Sequence, residues 1–328
     1  MLSGNPIVVV VFDVETSIAV ANYQRFNSQA PSKLHFEYLH LPKIDEQEEA
    51  TAPKVSLLAN AALEHLEPMQ IKIDELAIGG EGWGHVAFDY RPVAKGLLAK
   101  NIRGNLRGLK SQGGTLALYQ RDTNMWETSF SGVIRAVDMG KVMENFGYPR
   151  MLTSKKAKFD MSINWPGYPD QLDVNSLTGT IDINMQKGQF INDEGKGDTS
   201  LLNLISLLNF DTLVRRLRLD FSDLSAEGLA YDAVTGRLNF QNNYVYLSND
   251  APLKVDTTSA DLQLVGDINL KQQTIDSQLV ATLPIAGNLA VAAALTGGLP
   301  AAVGVYVVGK LFKEQMDSLA SVRYNVTG

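Results

Sequence analysis

Alternation of apolar and polar residues with a period of two is the feature that most limits what this chain of 328 residues can fold into. The segment KFDMSINW places Phe159, Met161 and Ile163 between polar or charged neighbours. Successive side chains of a β-strand point to opposite faces of its sheet, so such a segment has one apolar and one polar face. We therefore predict β-strands at segments of this kind.

The same alternation recurs along most of the chain. RRLRLDFS sets Leu217, Leu219 and Phe221 on one side of a strand, and QIKIDEL does the same with Ile71 and Ile73. Glycine, asparagine and aspartate lie between such runs, as turns require. With roughly a dozen or more candidate strands of this kind, the sequence predicts a mainly β fold built on antiparallel sheet.

Composition excludes several classes of function. The chain carries 29 basic and 36 acidic residues and a net charge of −7, without a long basic run. Because nucleic-acid binding depends on clustered lysine and arginine, we expect no nucleic-acid partner. The chain has no cysteine, which excludes disulfides, zinc–thiolate sites and cysteine nucleophiles. The 45% apolar share is enough for a sizeable core.

Motifs that carry chemistry are absent from the sequence. HFEYLH places His35 and His40 around Glu37, but not at the HExxH spacing that puts two imidazoles on one helix face. INDEGKGDTS, at residues 191–200, lacks the final glutamate of a calcium loop. GGEGWG, at residues 79–84, lacks a phosphate-binding pattern and predicts a bend or hairpin turn. We expect no catalytic residue, no metal and no cofactor, and no enzyme activity.

Helical signals are few. We predict short helices near residues 54–66, 138–147 and 199–209, the second of them capped by Asp138. Residues 1–52 are predicted to form strands followed by an acidic, proline-bounded linker. The amino terminus has neither a signal peptide nor a membrane-spanning helix, and a strand is the simplest interpretation of its six apolar residues, 7–12. Residues 53–283 would then form the main β region.

An uncharged segment lies near the carboxyl end. No residue between Ser277 and Gly309 is charged, yet prolines and glycines divide the segment into pieces too short to span a bilayer. For residues 284–328 we predict two short apolar helices that form a hairpin, followed by a final strand. The hairpin residues with a candidate role at a membrane are Leu289, Val291, Leu295, Leu299, Val303, Val307, Leu311 and Phe312.

The segment from Phe130 to Phe240 contains D-x-G-x6-G-Y at residues 138–148 and W-P-G-x-P at residues 165–169. With these motifs it resembles the AsmA-like carboxy-terminal region of the YhdP family of bacterial envelope proteins. SLLNLISLLNFDTLVRRLRLDFSDL, from Ser200 to Leu224, is similar to another ordered signature of the family. The resemblance covers about residues 65 to 328.

The resemblance implies a fold, a location and a function. The fold is an elongated, curved antiparallel β-sheet groove, of AsmA/TamB-like type, whose apolar inner face shields phospholipid acyl chains. The location is the periplasm and cell envelope, where this chain would be the carboxy-terminal portion of a protein anchored in the inner membrane by an amino-terminal helix that it lacks. The function is phospholipid transport between the inner and outer membranes, in support of the permeability barrier of the outer membrane. The carboxy-terminal end of the chain would face the outer membrane.

The alternating strands then supply candidate groove residues, because a sheet with one apolar face must cover that face with core, partner or lipid. The candidates are Ile71, Ile73, Phe159, Met161, Ile163, Ile181, Ile183, Leu217, Leu219, Phe221, Leu238, Phe240, Leu262, Leu264, Ile268 and Leu270. Ordinary core packing is the alternative at each position.

Two further alternatives concern the whole protein and its uncharged segment. A non-enzymatic scaffold that helps outer-membrane proteins or surface polymers assemble would share the same strands. The hairpin of residues 284–312 could plug the end of a groove, enter one membrane leaflet, or pack as core.

Overall fold

The fold is known from a computed structural model that describes residues 10–15, 19–25, 31–42, 66–122, 125–191, 224–225, 228–284 and 319–327. These residues belong to two compact units. Unit 1 comprises Met1–Arg135 and Asp160–Asp173, and unit 2 comprises Ala136–Phe159 and Val174–Gly328. Strand β9, Leu152–Pro166, contributes residues to both units.

The described part of unit 1 is built mainly of β-strands. Its strands are β1 (Val10–Glu15), β2 (Ala19–Arg25), β3 (Ser32–Leu41), β4 (Met69–Ile78), β5 (Glu81–Val93), β6 (Gly96–Leu106), β7 (Leu109–Asp122) and β8 (Met125–Ala136), with the second half of β9. Consecutive strands from β1 to β8 pair antiparallel, except that β3 and β4 pair parallel. Parallel neighbours need a long connection, and residues 42–68 supply it. A 3-10 helix, Pro169–Gln171, completes unit 1.

Unit 2 combines one short helix with a second set of strands. These elements are α1 (Met139–Asn145), the first half of β9, a 3-10 helix (Val174–Ser176), β10 (Thr178–Ile191), β11 (Leu224–Ser225), β12 (Gly228–Gln241), β13 (Tyr244–Leu247), β14 (Leu253–Asp256), β15 (Asp261–Asn269), β16 (Thr274–Pro284) and β17 (Leu319–Thr327). β12 pairs with β10 along its length, and its two halves pair with β14 and β13. β15 pairs with both of these short strands and then with β16, which pairs with β17. All of these pairs are antiparallel.

The prediction of a mainly β, antiparallel fold is therefore confirmed, with β3–β4 as the parallel pair among the described strands. The glycine-rich segment at residues 79–84 contains a hairpin turn, as predicted: Gly79 and Gly80 connect β4 to β5 with φ angles of 62° and 80°. Two successive positive φ angles match the right-handed twist of the flanking strands, and glycine adopts them without strain.

Helix α1 lies where the sequence places a capped helix. The Asp138 side chain accepts a hydrogen bond from the Gly140 N–H at 2.9 Å and so satisfies one of the free donors of the first turn. At the other end, Gly147 has a φ of 79° and the Tyr148 N–H donates to the Met143 carbonyl at 2.8 Å. This glycine-based arrangement ends the helix.

Some sequence-based predictions lie outside the described residues. They are the helices near 54–66 and 199–209, the apolar hairpin of residues 284–312, and the groove candidates Leu217, Leu219 and Phe221. Among the residues that the structure does describe, none belongs to a helix both long and apolar enough to cross a membrane.

Candidate functional site

An apolar surface runs across the strands of unit 1. Residues paired across neighbouring strands point to the same side of a sheet, so the register identifies its members. One row joins Tyr23, Leu34, Ile71 and Phe88 on β2 to β5. The complete surface, called the unit 1 face below, consists of Tyr23, Leu34, Phe36, Met69, Ile71, Ile73, Val86, Phe88, Tyr90, Leu97, Ala99, Leu116, Leu118, Phe130 and Ile134.

The unit 1 face is buried at one end and partly open elsewhere. At the buried end, Met69, Tyr90, Leu97 and Leu118 form a core cluster in which Leu118 is only 2% exposed. Trp126 and Tyr168 also pack against this cluster. By contrast, most of the remaining members are only half-buried: Tyr23, Leu34, Phe36, Ile71, Val86, Phe88, Leu116, Phe130 and Ile134. Of these, Leu34, Ile71, Phe88 and Leu116 also pack against the core cluster. All nine keep part of their apolar surface exposed.

Charged groups occupy the opposite side of the same strands. The exposed Asp74 side chain lies 2.6 Å from His35 Nε2 and 2.9 Å from Lys72 Nζ. These hydrogen bonds, the Lys72 contact first and the His35 contact second, hold the pKa of the Asp74 carboxyl below its usual range. The side away from the unit 1 face is therefore polar and solvated.

Unit 2 carries a second apolar surface, most of which is buried. Paired residues form rows across β12 to β17, of which one joins Leu253, Leu264, Leu279 and Tyr324. This surface, called the unit 2 face below, consists of Ile181, Ile183, Met185, Val234, Leu238, Phe240, Val245, Leu247, Leu253, Val255, Leu262, Leu264, Gly266, Ile268, Leu270, Ile275, Ser277, Leu279, Ala281, Tyr324 and Val326. Leu262, Leu264 and Ile268 are 0% exposed. These side chains contribute to the core of unit 2.

The reverse side of unit 2 is polar. Arg237 on β12 donates two hydrogen bonds to the Asp182 carboxylate on β10, at 2.6 Å and 2.8 Å. The hydrogen bond from Arg237 is the main cause that lowers the pKa of Asp182. Both side chains are exposed, so the pair adds little to stability and identifies the solvated side of the sheet.

Asp256, at the end of β14, allows the polar side of unit 2 to be tested through the pH dependence of stability. Burial, followed by the neighbouring charge of Asp261, raises the pKa of the Asp256 carboxyl. If folding raises the pKa of a carboxyl, that carboxyl lowers the free energy of unfolding at pH values above its folded-state pKa. This destabilisation disappears when the pH falls below the pKa of the carboxyl in the unfolded chain. We expect Asp256→Asn to raise the melting temperature by about 2 °C at pH 7 and by less towards pH 4.

Thermal unfolding of the wild type and the variant between pH 4 and pH 8 measures this effect. Asp250→Asn, at an exposed turn position between β13 and β14, is the matched control and should change the melting temperature less. A lower melting temperature for Asp256→Asn at pH 7 would contradict the expectation.

The groove candidates from the sequence fall into different environments. Ile71, Phe159, Met161, Ile181 and Ile183 are half-buried. A second group is buried: Ile73, Ile163, Leu238, Phe240, Leu262, Leu264, Ile268 and Leu270. Ile71 and Ile73 belong to the unit 1 face, whereas Ile181, Ile183, Leu238, Phe240, Leu262, Leu264, Ile268 and Leu270 belong to the unit 2 face.

Sequence reasoning missed most of the half-open part of the unit 1 face. Phe36 lies in HFEYLH and Leu34 directly precedes it. The histidines of this segment were considered as metal ligands, but its apolar residues were not assigned to a face of the sheet. Val86 and Phe88 alternate with Ala87 and Asp89 in a segment that follows the glycine-rich turn. The alternation of apolar and polar residues was the signal that could have identified these residues. Irregular register between β5, β6 and β7 interrupts this alternation along the chain.

The site has no arrangement suited to a metal. His35 pairs with Asp74, while His40 lies 3.5 Å from Glu75 on the next strand. Within the described ranges no three His, Asp or Glu side chains come together as metal ligands would. What the unit 1 face offers chemically is apolar contact over several strands.

Comparison with known proteins adds a family to this geometry. The chain matches the profile of a family described as YhdP protein over residues 10–328. It is 25% identical over 201 residues to an Escherichia coli (strain K12) protein described as intermembrane phospholipid transporter YhdP. That alignment covers 61% of this chain and 15% of the relative, so the chain corresponds to a small part of it. No solved structure matches the chain significantly.

Proposed function

Because this chain belongs to the YhdP family, we propose that it forms the carboxy-terminal part of a protein that carries phospholipids between the inner and outer membranes. In this proposal the protein spans the periplasm, contributes to the permeability barrier of the outer membrane, and is not an enzyme. The name of the Escherichia coli relative, an intermembrane phospholipid transporter, supports the class of cargo.

The proposal rests on the unit 1 face, most of whose apolar side chains outside the core cluster are only half-buried. Phe36, Val86 and Ile134 are apolar, only half-buried, and joined by register across β3 to β8. Contact with an acyl chain would remove this surface from water, at a gain of about 0.8 kcal/mol for each buried methylene group of the lipid. A continuous apolar surface can therefore hold an acyl chain without any directional contact.

In such a carrier the two sides of the unit 1 sheet would have different roles. The unit 1 face would contact acyl chains, and the side with His35, Lys72 and Asp74 would stay in water. Half-buried candidates such as Ile71 would touch lipid directly, whereas buried candidates such as Leu262 would hold the sheet together. The apolar segment of residues 284–312, whose one charged residue is Lys310, would lie at the end that faces the outer membrane.

Lipid extraction tests the proposal. The full chain is purified from bacterial cells in mild detergent, and bound lipids are extracted and identified by mass spectrometry. We expect phospholipids in a reproducible molar ratio to the protein, in excess of those recovered with an unrelated β-sheet protein purified in the same way. A chain that carries no phospholipid and takes none up from vesicles would contradict the proposal.

A further inference from the structure

Two hydroxyl groups interrupt the otherwise apolar surface of unit 2. Ser277 and Tyr324 are 5% and 1% exposed, and their side chains point to the unit 2 face. In the part of the chain that the structure describes, neither Ser277 Oγ nor Tyr324 Oη has a hydrogen-bond partner. A buried hydroxyl without a partner costs free energy, so native proteins rarely keep one without a use.

The two hydroxyls are neighbours in the sheet. Ser277 on β16 pairs with Val326 on β17, and two residues further along β16, Leu279 pairs with Tyr324. Ser277 and Tyr324 are therefore diagonal neighbours, whose backbones in an antiparallel pair lie about 7–8 Å apart. Both side chains therefore belong to the same small region of the unit 2 face.

Gly266 lies directly against Ser277. It pairs with Ser277 across β15 and β16 and has a φ of 134°, which disfavours any other residue. A Cβ atom at this position would lie 2.7 Å from Ser277 Oγ and 2.4 Å from the Asp276 carbonyl oxygen. The close approach of β15 to β16 beside the Ser277 hydroxyl therefore requires glycine at this position.

Two other buried or half-buried tyrosines, Tyr231 and Tyr23, have hydrogen-bond partners, whereas Tyr324 has none among the described residues. Tyr231 donates to the Thr153 carbonyl at 2.5 Å, and Tyr23 donates to the Glu67 carboxylate. Burial raises the pKa of Tyr324 to about 12, so its hydroxyl keeps its proton and acts as a donor at neutral pH. Each hydroxyl has one proton to donate, so a ligand with acceptor oxygens would satisfy both donors.

The surroundings indicate which acceptors fit. The row of paired residues that contains Ser277 also contains Leu247, Gly266 and Val326. The row that contains Tyr324 also contains Leu253, Leu264 and Leu279. None of these residues is charged. A phosphate group buried there without a cation would be strongly disfavoured. Neutral carbonyl oxygens, accompanied by apolar chains, are the acceptors that match an apolar surface with two donors.

We propose that Ser277 and Tyr324 donate hydrogen bonds to the ester carbonyl oxygens of a diacyl glycerolipid whose acyl chains lie against the unit 2 face. This inference rests on the proposed function, since it names the part of the lipid that unit 2 recognises. It requires the acyl chains to displace or part whatever covers the unit 2 face in the lipid-free chain.

The first test is the stability of the lipid-free protein. Tyr324→Phe removes the hydroxyl and keeps the ring, so it should raise the melting temperature of the delipidated full chain slightly, by about 1–3 °C. Tyr246→Phe, on the polar side of β13, is the control and should leave the melting temperature unchanged. A fall of several degrees for Tyr324→Phe would show that the hydroxyl already has a partner in the chain, and would overturn the inference.

The second test compares two lipids that differ only in their carbonyl groups. The probes are phosphatidylethanolamine with two palmitoyl esters and the same lipid with two hexadecyl ethers, offered in detergent micelles to the delipidated full chain. We expect the wild type to bind the diester more tightly, by about fivefold for each hydrogen bond. Ser277→Ala/Tyr324→Phe should bind the two lipids equally well, at the affinity that the wild type shows for the diether.

The outcomes separate this inference from the proposed function. The control Tyr246→Phe/Ser321→Ala removes two hydroxyls from the polar side and should keep the preference for the diester. Binding of both lipids by the wild type without a preference would overturn the inference and leave the proposed function intact. Binding of neither lipid would contradict the proposed function itself.

Discussion

Replacing Val86 with aspartate is expected to reduce the phospholipid bound to the purified chain by at least about tenfold, because a charge facing an acyl chain costs several kcal/mol. Val86 is half-buried near the middle of the unit 1 face, between Ile73 and Gly104 on the neighbouring strands. It lies outside the buried cluster around Tyr90 and Leu118, so the sheet should still fold. Extraction and mass spectrometry of bound lipid measure the effect.

The next residue on the same strand provides the matched control. Ala87 points to the polar side, where it pairs with Lys72 on β4 and Arg103 on β6. Ala87→Asp places the same charge one residue away, next to two cations, and should leave lipid binding close to that of the wild type. Equal lipid loss in both variants would show that damage to the strand is responsible. Equal retention would favour a scaffold that needs no apolar path.

The second large effect is expected on stability. Leu264 is 0% exposed at the centre of the unit 2 face, between Leu253 and Leu279. Leu264→Ala removes buried methyl groups and leaves a cavity, so the free energy of unfolding should fall by about 2–5 kcal/mol. Urea denaturation followed by circular dichroism measures this change.

Val265, the adjacent residue on β15, is the comparison. It points to the polar side, opposite Gln278, and is only half-buried. Val265→Ala should cost less than about 1 kcal/mol. If Leu264→Ala cost no more than Val265→Ala, the unit 2 face would not be the core that its burial indicates.

The period of two predicted the fold class because it is a local property of each strand. In β4 the sequence alone separates Ile71 and Ile73 from Lys72 and Asp74, and the structure places these pairs on opposite sides. The capped helix after Asp138 was equally readable, since its aspartate, glycines and apolar stripe all lie within a few residues.

Contacts that depend on distant strands could not be predicted in this way. The parallel pairing of β3 with β4 follows from the path of the chain between them, which no local pattern encodes. Alternation also assigns Ile71 and Leu262 to the same class, although one is half-buried and the other 0% exposed. Exposure depends on what packs above each face, and that decides which apolar residues are free to meet a ligand.

The hydroxyl pair illustrates the same limit. Ser277 and Tyr324 are far apart in sequence, and neither stands in a recognisable motif. The register of β16 with β17 makes them neighbours. The structure also shows that both hydroxyls are buried and lack hydrogen-bond partners among the described residues.

Site-specific photocrosslinking along β4 tests the central claim most directly. A photoreactive amino acid is placed in turn at Gln70, Ile71, Lys72, Ile73 and Asp74 of the full chain, in bacterial cells whose phospholipids carry a radioactive label. If the unit 1 face holds acyl chains, the half-buried position 71 crosslinks to phospholipid, the buried position 73 crosslinks less, and positions 70, 72 and 74 do not. Labelling that is absent throughout, or equal at all five positions, would contradict transport along this face.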